Sequence, residues 1–136
     1  MGTIIVGFVD SPEGRAALSA GREEAFRRGS SLLIVNSSPG GKENPAKLAA
    51  VEDALAEAAE RIRSEGIQVE LLEIALGNDP AGDLLDAASA RDAELVVIGL
   101  RRRSPVGKLV LGSNSQDILL SAECPVLAVK APRQER

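Results

Sequence analysis

Short apolar runs and helical stripes alternate along this chain. Thr3 to Val9 is a β-branched apolar run, and Ser31 to Asn36 and Glu94 to Ile98 repeat the pattern. Runs this short and continuous predict strands buried on both faces. Ser11-Pro12 opens a helix running to about Gly29, with Ser as N-cap and Pro at the first helical position. Ser37 to Asn44 is a polar, turn-rich loop. Pro45 to Glu65 predicts a long helix, because Val51, Leu55, Ala58 and Ile62 fall on one face. Gly66 ends it in the C′ position. Ile67 to Leu76 partly alternates and predicts a third strand nearer the sheet edge. Asp79-Pro80 caps another helix, with Leu84, Leu85 and Ala88 turned inward. Gln116 to Ala122 predicts the last helix, Pro125 to Lys130 the last strand, and Ala131 to Arg136 a polar tail.

Strands alternating with helices through short connections predict an α/β fold, a doubly wound five-stranded parallel sheet with helices on both faces. A chain of 136 residues fits one such domain, 1–136. Ligands of these sheets sit beyond the carboxyl ends of the strands, where the strand order reverses. The first and fourth strands are the natural neighbours there.

Composition narrows the chemistry. Hydrophobic residues make up 44% of the chain but aromatics only 1%, so the core is built from Ala, Val, Ile and Leu. A formal charge of −4 argues against a nucleic-acid binder, and without Trp or Tyr there is no platform for stacking bases. No His is present, which removes the imidazole base and the usual metal ligand. No catalytic residue and no metal site are expected. The single cysteine, Cys124, reads as a small buried hydrophobe before the last strand. No leader pattern and no apolar run of membrane-spanning length occur, which predicts a cytoplasmic protein that spans no membrane.

The segment from Gly99 to Ser115 carries the functional signal. A buried strand runs into a loop punctuated by Gly99, Gly107 and Gly112, then into Ser113-Asn114-Ser115 and a helix. Gly99 lets the chain turn off the strand, and Gly112 lets backbone approach an anion without a Cβ in the way. The first N–H groups of a helix have no internal partner and favour negative charge. Ser113 or Asn114 is the expected N-cap, and the hydroxyls of Ser113 and Ser115 can donate to the same anion. Gly107-Lys108 is not a Walker loop, since Leu109 stands where Ser or Thr should bind Mg²⁺. Arg101, Arg102 and Arg103 form a basic run that is either a solvated face or a phosphate contact. Asp10, at the end of the first strand, complements the dipole of the helix that follows, and Val35 closes the second strand as a core residue.

These residues resemble the universal stress protein family. Its nucleotide-binding members carry G-x2-G-x9-G-[S/T], which Gly99, Gly112 and Ser113 match in register while Arg102 replaces the middle glycine. Ile4 to Asp10, Gly77-Asn-Asp-Pro80 and Cys124 to Val129 extend the resemblance over most of the chain. The resemblance implies the strand order 3-2-1-4-5. It puts Asp10 and Val35 against adenine, Gly99 near the ribose, and Gly112, Ser113, Asn114 and Ser115 around the phosphates. It implies ATP as ligand, with AMP or cyclic AMP as alternatives; the carboxylate of Asp10, read from the residues alone, could help hold a Mg²⁺ bridged to the phosphates. The implied role is a stress-response regulator or sensor with at most slow ATP hydrolysis, homodimeric through the last strand. The guanidinium of Arg102 either replaces the lost backbone contact to phosphate or narrows the pocket. In the second case the chain would be a dimeric interaction protein of the same family that binds no nucleotide.

Overall fold

A computed structural model describes residues 1–37, 44–73, 79–101 and 111–132. The chain runs β1 (Thr3–Phe8), α1 (Pro12–Arg28), β2 (Ser31–Asn36), α2 (Pro45–Arg63), β3 (Val69–Glu73), α3 (Pro80–Ala90), β4 (Leu95–Leu100), α4 (Ser113–Ser121), β5 (Val126–Lys130). The five strands form one parallel sheet in the order β3-β2-β1-β4-β5. The α/β class and the strand order 3-2-1-4-5 both agree with expectation.

Period-two alternation explains why the strands read as continuous apolar runs. Ile4, Val6, Phe8, Leu32, Ile34, Leu95 and Val97 face one layer, packed with Ala17 and Ala25 of α1 and Val51, Leu55 and Ile62 of α2. Ile5, Leu33, Val35, Val96 and Ile98 face the other, packed with Ala81, Leu84 and Ala88 of α3 and Ile118 of α4. Burying one such side chain contributes about 1.5–3 kcal/mol, so both layers are needed to hold a sheet with so few aromatics.

Helix starts follow local chemistry. Ser11 caps α1 by accepting from the Gly14 amide at 3.0 Å. Asn44 caps α2 by accepting from Lys47, and Asp79 caps α3 by accepting from Gly82. Each such cap is worth about 1 kcal/mol. Gly29 ends α1 at φ 66°, a left-handed turn that glycine adopts without a Cβ clash.

Several boundaries differ from the sequence reading. β1 stops at Phe8, and Val9 is exposed. Gly66 is not at C′: α2 is capped by Ser64, and Gly66 turns the chain at φ 90° two residues later. The inward stripe of α3 is Ala81, Leu84 and Ala88, and Leu85 is only half-buried, because α3 needs one narrow face against the sheet. The third strand, expected from Ile67 to Leu76, is Val69–Glu73, and residues 74–76 lie outside the described residues. It does lie at a sheet edge, as its partial alternation implied.

Candidate functional site

The strand order reverses between β1 and β4, which are paired in register from Ile4↔Leu95 to Val6↔Val97. α1 follows β1 onto one face of the sheet, and α4 follows β4 onto the other. Both helices therefore begin at the carboxyl end of the sheet, where ligands of such sheets sit.

The first wall is the turn from β1 into α1. Asp10 follows the strand directly and pairs with Arg15 one turn into α1, Oδ1 to Nη1 at 3.3 Å. Glu13 in the same turn faces Arg101, which leaves β4, at 3.8 Å. The first pair is local to this turn, and the second ties it to the end of β4. Asp10, Arg15 and Arg101 are exposed and Glu13 is half-buried, so the pairs orient side chains more than they stabilise the fold.

Gly99 lies within β4, one residue before its end. A Cβ there would sit 2.3 Å from the Glu13 carbonyl oxygen. The first turn of α1 rests on this glycine, which accounts for its presence before any ligand is considered. This is a packing reason that the sequence pattern did not reveal.

Val35 is 0% exposed and belongs to the layer under α3 and α4. Its neighbour Asn36, also buried, donates from Nδ2 to both carboxylate oxygens of Glu73 on β3, at 3.1 and 3.4 Å. Asn36 is a polar residue closing an otherwise apolar strand, and that break in the pattern was the signal by which the sequence could have flagged it. Glu13 and Arg15 left no comparable mark, because charged residues in the first turns of a surface helix are ordinary.

α4 starts at Ser113, not Gln116, and its N-cap is Gly112, not Ser113 or Asn114. Gly112 has φ −71° and ψ 165°, and its carbonyl accepts from the Gln116 amide at 3.0 Å. With a glycine at N-cap, Ser113 and Asn114 fall inside the first turn, where their hydroxyl and amide cannot cap their own helix. Among the described residues, α4 is the helix whose N-cap contributes no side-chain bond; α1, α2 and α3 each have one. Among the described residues, no atom lies within 4 Å of a Cβ placed at Gly112. Ser113 and Asn114 are exposed, and Ser115 is half-buried. Arg102 lies outside the described residues.

Cys124 is half-buried against the second core layer, and burial pushes its thiol above the ordinary value. A raised pKa lowers the thiolate fraction at neutral pH and with it the reactivity of the sulfur. Among the described residues no group of three or more His, Cys, Asp or Glu side chains could hold a metal ion, and no helix is long and apolar enough to cross a membrane.

Comparison with known proteins agrees with this geometry. A universal stress protein of Mycolicibacterium smegmatis is 43% identical over 130 residues, covering 93% of this chain and 96% of the relative. The structure of the universal stress protein from Archaeoglobus fulgidus in complex with dAMP superposes with a TM-score of 0.70 at 30% identity, covering 96% of this chain and 98% of that one. A universal stress protein in complex with cAMP superposes with a TM-score of 0.69 at 25% identity, again covering 96% and 98%. The model of the universal stress protein family matches residues 1–130. A sheet reversing between β1 and β4, an α4 that starts without a side-chain cap, and a family match over nearly the whole chain agree: this protein belongs to the universal stress protein family.

Proposed function

We propose that the chain binds an adenine nucleotide, ATP foremost, between the starts of α1 and α4, and acts as a ligand-dependent stress regulator. The observation that carries this reading is the start of α4. Its first turn has no side-chain cap, its N-cap is a glycine, and among the described residues nothing fills the space where a Cβ would stand. A phosphate there would accept from the backbone N–H groups of the first turn and from the hydroxyls of Ser113 and Ser115. The two similar structures named above with dAMP and cAMP support an adenine ligand.

In this reading the carboxylate of Asp10 accepts from the adenine amino group, with Arg15 fixing its orientation. Val35 backs the base through the wall of the second core layer, and Gly99 lies near the ribose by seating the first turn of α1 against β4. Arg102 supplies a charged phosphate contact in place of the family's glycine. Mg²⁺, where ATP brings it, would be held by the phosphates. We take the protein as one cytoplasmic domain, 1–136, dimeric through β5. Arg102 itself favours a second reading, a dimeric interaction protein that binds no nucleotide.

Gly112→Val separates the two readings. The backbone at Gly112 is one that any residue adopts, and a Cβ there meets no atom of the described residues, so the unliganded fold should keep its circular dichroism and melting temperature. Titration calorimetry should show affinity for ATP and AMP lost, because the branched side chain stands where phosphate approaches. A folded variant that binds as well as the wild type removes the phosphate site from α4.

A further inference from the structure

A second concave feature lies on the opposite face of the sheet from α4. α1 packs over β1, β4 and β5, while α2 packs over β3. The two helices stand apart and leave a groove of about 650 Å³. That lies within the range of roughly 300–1,000 Å³ typical of small-molecule sites. Leu18, Leu55 and Ile62 give it an aliphatic floor.

Its rim carries charge of one dominant sign. Three guanidiniums line it, Arg15, Arg22 and Arg61, against one carboxylate, Glu65. The chain as a whole is at −4, so this excess of positive charge runs against the balance of the molecule. Arg22 is spoken for: it forms a two-bond pair with Glu65, with Nε donating at 2.7 Å. That pair holds α1 and α2 together at one end of the groove and keeps the Glu65 carboxyl below its ordinary value. Arg15 pairs with Asp10 at the other end. The guanidinium of Arg61 has no ion-pair or hydrogen-bond partner among the described residues.

We propose that this groove binds a small amphipathic anion, an apolar chain ending in a carboxylate, with Arg61 holding the head group. The apolar floor accepts the chain, and the excess guanidinium selects the charge of the head. From Arg15 to Arg22 the groove follows α1 for about 10 Å at 1.5 Å rise per residue, the reach of a medium-chain acyl tail. The groove shares Arg15 with the nucleotide reading but lies on the face of the sheet away from α4, so octanoate and AMP are titrated separately.

Titration calorimetry with octanoate, octanol and octyltrimethylammonium tests it. Octanoate should bind saturably at one per chain, octanol at least about tenfold more weakly, and the cation not at all. Arg61→Gln should bring octanoate down to the octanol level and leave octanol unchanged. Ala54→Trp fills the groove from an exposed position on α2 and should abolish binding of both, with circular dichroism and AMP titration unchanged. Equal affinity for octanoate and octanol, or octanoate binding that survives Ala54→Trp, overturns the proposal. Loss of dimerisation in Ala54→Trp without octanoate binding to the wild type overturns it in favour of a second copy of the chain.

Discussion

Two glycines of one sequence motif do different physical work. At Gly112 a Cβ meets none of the described residues, whereas at Gly99 it meets the backbone carbonyl of Glu13 at 2.3 Å. A backbone atom at the start of a helix cannot swing aside as the end of a flexible side chain can. Gly99→Ala should therefore destabilise the unliganded protein by about 1–3 kcal/mol, read as a melting temperature lower by roughly 5–10 °C. An unchanged melting temperature would mean that α1 gives way at no cost and that the glycine serves the ligand alone. The contrast with Gly112→Val is the useful one: one glycine holds the fold, and the other would hold space for the ligand we propose.

At the scale of elements, helices are tied to the sheet by charge where apolar contact is thin. Arg91, the C-cap of α3, forms two bonds to Glu70 on the edge strand β3, at 2.6 and 2.9 Å. The Arg91 hydrogen bonds hold the Glu70 carboxyl below its ordinary value. A carboxyl depressed in the folded state contributes stability above its unfolded pKa and loses it as pH falls through the folded pKa. Glu70 is more than half exposed, so solvent screening keeps this contribution under about 1 kcal/mol. Arg91→Gln should cost that amount in urea unfolding at neutral pH. The difference from wild type should shrink on acidification and vanish once the pH is below the folded pKa of Glu70. A difference that stays constant with pH would mean that Arg91 acts through packing of its stem instead.

The two edges of the sheet are treated differently across the whole molecule. β3 presents Glu70 and Glu73, charges that discourage another strand from adding there. β5 presents Leu127, and the nearby α4 leaves Leu119 and Leu120 exposed. An apolar edge beside exposed leucines is the surface on which a second copy would dock, and it agrees with the dimer we propose. Light scattering at micromolar concentration should give twice the chain mass for the wild type. Leu127→Lys, which places a charge on that edge, should give the monomer with its circular dichroism intact. A wild type that runs as a monomer removes the dimer.

The sequence by itself determined the element order, the parallel sheet and the apolar stripes of α2, because these rest on local periodicity and on residues that start or stop helices. Val51, Leu55, Ala58 and Ile62 are buried as their spacing required, and Ser11 and Asp79 cap the helices they precede. It also marked the segment that becomes the start of α4, since glycines and hydroxyls before a helix have few other uses. The strand order came from family resemblance, because periodicity does not say which strands are neighbours. Only the tertiary structure decided that Gly99 carries the first turn of α1, that Asn36 answers Glu73, and that Gly112, not Ser113, is the N-cap of α4. The groove between α1 and α2 was equally invisible in the sequence. Each of these depends on how close two distant segments come, and close approach is set by the packing of whole layers.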